Sequence, residues 1–189
     1  MEQSARDEIL EKLRAAPKKA IHPRPQVPPL SELSMTKEEL IERFTKNLVD
    51  ETGVVYRVPD MPAALDKLTE IAKAEGLKKV MVSTDDVVAP LDLPAWGKKN
   101  NIQVMTPRDF ADRYAFRDAV FEEAEAGITG ADFAVAESGT LGLIHSKDQA
   151  RLVSLAPILH IAIVPLERMV PVYAVSYTHL RAHETGRNL

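Results

Sequence analysis

Short apolar, β-prone runs alternate with amphipathic helical stretches along most of this chain, and that alternation constrains the fold more than any other feature. A capping box opens at Thr36 with Glu39 three residues on, and Leu40, Ile41, Phe44 and Leu48 then fall on one helical face until Gly53 ends the run. Residues 54–58 are β-prone. Asp60 with Pro62 starts a second helix carrying Leu65, Leu68 and Ile71, and Gly76 closes it before an apolar strand at 79–83. A helix is expected around 91–99 and a strand at 102–105. The stretch 108–126 is rich in helix formers up to Gly127, which reads as its breaker. Strands are expected at 131–136, 141–145 and 160–164. Parallel neighbours need long crossover connections, and helices between strands supply them. The expected fold class is therefore α/β, a mostly parallel sheet flanked by helices.

The ends of the chain read differently. Residues 1–16 form a short amphipathic helix with Ile9, Leu10 and Leu13 on its apolar stripe. Residues 17–35 contain Pro17, Pro23, Pro25, Pro28 and Pro29, which stiffen the backbone and remove donors, so this stretch is expected to be an extended linker. Residues 36–174 form one α/β domain, in keeping with a total length of 189.

Composition removes several function classes. With no cysteine there is no thiol nucleophile, no disulfide framework and no thiolate-held iron–sulfur cluster on this chain. A net charge of -4 provides no basic field for nucleic acid. No apolar run approaches the ~18 residues of a membrane span, and the expected location is the cytoplasm.

The residues richest in chemical possibility are Glu137-Ser138-Gly139-Thr140, a tight turn between two strands. Backbone N–H groups beside two hydroxyls, with a glycine permitting close approach, could hold a small anion, and Glu137 at a strand end is the candidate catalytic group. The same four residues also make an ordinary hairpin turn. Upstream, Thr129 and Asp132 lie in the run Gly127-Ile128-Thr129-Gly130-Ala131-Asp132, read as a helix-to-strand corner. Arg151 has a guanidinium suited to a carboxylate or phosphate, or to a structural salt bridge. His145 suits a proton acceptor or a solvent-facing side chain, and His160 a structural place on a strand. Asp85-Asp86 follows a strand end, where the pair serves a metal, a ribose hydroxyl or a helix cap, and Trp96 reads as a packing residue. No metal site is expected.

Taken in order, the run 127–132, then Ala136-Glu137-Ser138-Gly139-Thr140-Leu141, then Arg151-Leu152, Leu155-Ala156-Pro157 and His160, resembles the lactate-utilisation protein C family (LutC/YkgG), also called the LUD domain. The likeness extends from the N-terminal helix to about Tyr173. One departure is Ser138, where the family commonly has threonine. The resemblance implies a fold related to sugar-phosphate isomerases and CoA transferases (NagB/RpiA/CoA-transferase-like). It also implies a part in oxidising L-lactate to pyruvate beside iron–sulfur partner proteins, with no cofactor on this chain and the clusters on those partners. Under that reading the chain is a non-redox-centre subunit or accessory protein of an L-lactate dehydrogenase complex. The alternatives are a stand-alone enzyme binding a phosphate or acyl-CoA substrate at the 137–140 turn, and a structural adaptor of the complex.

Residues 175–189 resemble the translation of a sequencing-library adapter rather than the family. They are expected to lie outside the fold, which leaves the domain incomplete at its C-terminus and gives His179 and His183 no functional weight.

Overall fold

The structure is a computed structural model that describes residues 5–16 and 35–173. The expected linker at 17–35, apart from Met35, and the expected adapter-like stretch lie outside the described residues. The chain divides into two units, residues 1–31 and 32–189. In the first, helix α1 (Ala5–Ala15) has Asp7 and Glu8 in its first turn and leaves Ile9, Leu10 and Leu13 exposed.

The second unit is built on a four-stranded parallel sheet of order β2-β1-β3-β6. Its strands are β1 (Lys79–Val82), β2 (Gln103–Met105), β3 (Ala126–Gly130) and β6 (Leu159–Ile163). Each crossover carries a helix: α4 (Leu93–Asn100) between β1 and β2, α5 (Arg113–Glu122) between β2 and β3, and the short α6 (Leu152–Leu155) before β6. Alternation along the strands sends two different sets of side chains to the two faces. Val80, Val82, Ala126 and Ile128 meet α4 and the preceding helix α3 (Met61–Ala74) through Leu68, Ala72, Leu93 and Trp96. On the other face Met81 and Met105 meet Ala119, Val120 and Val153 of α5 and α6. Full burial of each large apolar side chain contributes about 1.5–3 kcal/mol, so these two clusters hold the three layers together. Trp96 is a packing residue whose indole N–H donates to Thr69 Oγ1 at 2.9 Å.

A second, three-stranded sheet, absent from the sequence expectation, has the order β5-β4-β7. The antiparallel pair β4 (Phe133–Val135) and β5 (Thr140–Gly142) is joined by the 137–140 turn, and β7 (Met169–Val170) runs parallel to β4. Helix α2 (Lys37–Asp50) covers this sheet, with Phe44 packed on Ala134 and Ala136. Its N-terminal capping box forms as the sequence predicts, with Thr36 Oγ1 accepting from the Glu39 N–H and the Glu39 carboxylate accepting from the Thr36 N–H.

Three local expectations are corrected. Residues 53–58 form no strand: the segment pairs with no sheet, and Val54 and Tyr56 point outward, exposed. Gly127 does not break a helix. α5 ends at Glu122, and Gly127 lies inside β3, whose five residues are all buried. The expected strand at 141–145 ends at Gly142, which leaves His145 in a loop and exposed. Among the described residues no helix is long and apolar enough to cross a membrane.

Candidate functional site

From β1 the chain steps outward to β2 and then returns past β1 to β3, so the strand order reverses between β1 and β3. At such a reversal the two loops leaving the carboxyl ends of the strands diverge to opposite faces and open a crevice, the usual ligand position in α/β sheets. Here that position falls between residues 83–86 after β1 and residues 130–132 after β3, and the two loops meet there through the Gly130 N–H bond to Asp85.

Asp85 is consumed by structure at this point. Its Oδ1 accepts from the N–H groups of Val87 and Val88 at 3.0 and 3.1 Å, while Oδ2 accepts from the Ser83 hydroxyl at 2.5 Å and the Gly130 N–H at 3.0 Å. One carboxylate thereby caps the turn after β1 and ties it to the end of β3. Gly130 must lack a side chain for this, because a Cβ there would come within 2.3 Å of Asp85 Oδ1. Asp86 instead points outward and pairs with Arg168, which precedes β7, and Arg168 Nη1 donates to Ala131 O at 3.2 Å. A single guanidinium therefore bridges the ends of β1 and β3.

Asp132 stands beside it. Its Oδ2 accepts from the Ile144 N–H at 2.6 Å. Burial pushes its carboxyl above the usual aspartate range, and the nearby charges of Asp85 and Asp86 add to that, against Arg168 and the Ile144 bond. It therefore keeps a proton to higher pH than an exposed aspartate would.

Residues 143–149 run as a strap along this edge. Beyond the Ile144 contact, Asp148 O accepts from the Thr84 N–H at 2.7 Å and Gln149 Nε2 donates to Gly130 O at 2.8 Å. Arg108 pairs with Asp148 and holds its carboxyl below the usual range. His145 rides exposed on this strap.

The candidates named from sequence divide among three places. Thr129 lies within β3 and Asp132 just past its carboxyl end. Thr129 is buried on β3, where its hydroxyl shares a 2.9 Å hydrogen bond with His160 Nε2 on β6. Glu137, Ser138, Gly139 and Thr140 lie beyond the far end of β4. There Glu137 Oε1 accepts from the Tyr173 N–H at 2.8 Å, and the Ser138 hydroxyl donates to Thr140 Oγ1 at 2.8 Å. Gly139 adopts φ +64 and is pressed against the last turns of α2, where a Cβ would stand 2.5 Å from Leu48 N. Asn47 Nδ2 donates to the carbonyls of Ala136 and Glu137. The C-terminal end of a helix carries partial negative charge, so α2 gives an anion at this turn no assistance. Arg151 is exposed just before α6. Arg168 was not foreseen, because 82 residues separate it from Asp86 and no local pattern marks it.

Burial lowers the His160 pKa, so its imidazole is held neutral. In the unfolded chain it protonates near its ordinary value of about 6.5. Stability is therefore complete above that value and falls as the pH drops from there toward the folded pKa. Urea midpoints across pH 4–8 should show this loss in the wild type, and His160→Gln should flatten that part of the profile. Parallel profiles for the two proteins would contradict the assignment.

Comparison with known proteins gives consistent results. The model of the LUD domain matches residues 41–185. Lactate utilization protein C of Anoxybacillus flavithermus is 29% identical over 108 residues, covering 56% of this chain and 46% of that protein. Lactate utilization protein B of Shouchella clausii is 47% identical over 53 residues, 28% of this chain and 11% of that protein. The chain thus spans less than half the length of these relatives. Among solved structures, a DUF162 family protein from Deinococcus radiodurans superposes with a TM-score of 0.60 at 23% identity, covering 81% of this chain and 85% of that one. That likeness supports the fold alone. Among the described residues no group of three or more His, Asp or Glu side chains is placed to hold a metal ion.

Proposed function

Because this chain belongs to the LUD domain family, we propose that it serves lactate utilisation as a component without a redox centre, acting beside iron–sulfur proteins in the oxidation of L-lactate to pyruvate. The observation that carries this reading is the family match across residues 41–185, which takes in the whole parallel sheet and the loops at its carboxyl edge. Relatives named lactate utilization protein C and protein B both align with parts of the chain. Oxidising lactate to pyruvate releases two electrons and two protons. A chain with no cysteine has no thiolates to anchor a cluster for those electrons, which is in keeping with the proposed iron–sulfur partners. The work left to this component is to bind the organic acid, to orient it, or to dock the partners.

A stand-alone enzyme acting from the 137–140 turn has less support, since the Glu137 carboxylate and both hydroxyls there already bond within the turn or to Tyr173. The proposed role is tested by deleting the full-length gene from its host and purifying the tagged protein from the undeleted strain. Growth on L-lactate should be lost while growth on glucose is kept, and cysteine-rich iron–sulfur proteins should co-purify. Wild-type growth of the deletion strain on L-lactate would overturn the proposal.

A further inference from the structure

The guanidinium of Arg168 is held in place by two of its nitrogens and keeps N–H groups open to solvent. Nη1 donates to Ala131 O and Nη2 to Asp86, and its other N–H groups have no acceptor among the described residues. The Arg168 side chain is only 28% exposed, whereas its partner Asp86 is 73% exposed. Exposed ion-pair partners contribute little, so Asp86 is a carboxylate that another carboxylate can replace. The bond to the Ala131 carbonyl fixes the plane of the fork, and it does so at the reversal of strand order. Next to it Asp132 uses Oδ2 for the strap and leaves Oδ1 open.

We infer that the surface around Arg168 at the carboxyl ends of β1 and β3 is a carboxylate-binding site in which Arg168 grips the carboxylate of a small organic acid in place of Asp86, with Asp132 positioned to accept a hydrogen bond from a neighbouring hydroxyl. A planar fork matches a carboxylate through two parallel N–H···O bonds, which a point charge such as lysine does not reproduce. A 2-hydroxy acid suits the pair of groups, one charged contact and one hydrogen-bonding contact side by side. That choice of acid rests on the lactate-utilisation reading, while the carboxylate site itself does not.

The test is calorimetric titration of the full-length protein with L-lactate, pyruvate and acetate. Arg168→Lys and Arg168→Gln should each weaken binding by about ten-fold or more, the loss of one charge-assisted bidentate contact. Asp86→Asn removes the competing carboxylate from the surface and should tighten binding. Arg117→Gln, which alters an exposed guanidinium paired with Asp118 on α5, should leave binding unchanged. Should Arg168→Gln fold poorly, Asp86→Asn alone still decides, because its side chain is mostly exposed. The site is overturned if no carboxylate binds the wild type, if Arg168→Lys binds like the wild type, if Asp86→Asn fails to tighten, or if Arg117→Gln abolishes binding. Binding of pyruvate and acetate through Arg168 without L-lactate would keep the site and remove the 2-hydroxy acid. Loss of all binding alongside intact co-purification and lactate-dependent growth would remove the site and keep the role.

Discussion

Gly127→Ala is expected to lower the thermal midpoint of the domain by about 6–12 °C, the consequence of roughly 3 kcal/mol of overpacking in a chain of this size. A Cβ at this position would stand 1.8 Å from the carbonyl oxygen of Val153 and 3.3 Å from the Pro157 ring. Neither neighbour can yield, since one is backbone and the other a ring. Helix α6 would have to lift off the sheet, taking Val153 out of the cluster it forms with Met81 and Val120. Gly76→Ala is the useful contrast. There the glycine has φ +67 but no atom within 4 Å of an added Cβ, so only the left-handed backbone penalty of about 1 kcal/mol applies. Circular dichroism melts of the two variants separate collision from backbone strain. A midpoint for Gly127→Ala within about 2 °C of the wild type would mean that α6 is not seated on β3 as described.

The second large effect splits two adjacent aspartates. Asp85→Ala removes the acceptor for three backbone N–H groups and a serine hydroxyl around the end of β1, and leaving such donors unpaired costs about 3 kcal/mol or more in total. Asp86→Ala removes only an exposed ion-pair partner and should change stability by no more than about 0.5 kcal/mol. Urea denaturation of both variants checks this. Equal destabilisation would show that the pair acts as one structural cap and that Asp86 is not free to exchange. The sequence offered both readings for Asp85-Asp86, and the structure gives the capping role to the first residue and exposes the second.

Much of the architecture was legible from local patterns. The capping box at Thr36, the Asp60-Pro62 start and the closing Gly76 each act within one turn of chain, so the helices they bound could be read directly. What could not be read depends on distant partners. Gly127 looks like a helix breaker because glycine usually is one, and its place in a buried strand follows from Val153 and Pro157, which lie more than twenty residues away. Residues 54–58 have strand composition but find no neighbouring edge, and composition cannot supply one. The small sheet escaped notice because β7 contributes only two residues.

The site followed the same division. The 137–140 turn attracted attention as a compact motif, yet Gly139 is explained by the closeness of α2. The proposed carboxylate site is assembled from the ends of two strands and an arginine 82 residues beyond Asp86, none of which forms a contiguous pattern. Thr129 and Asp132 were picked out by the same family motif, and the structure gives them separate surroundings: one is locked to His160, the other faces Arg168.

The proposed carboxylate site is tested most directly by growth on L-lactate of the native host with its full-length gene carrying either Arg168→Lys or Glu137→Gln, with protein levels matched by immunoblot. Arg168→Lys keeps the charge and loses the fork, and it should slow growth on L-lactate severely while the protein still co-purifies with the iron–sulfur proteins proposed as its partners. Glu137→Gln should grow close to the wild type. Unimpaired growth with Arg168→Lys, together with failure of Glu137→Gln, would place the working site at the hairpin turn and contradict the account.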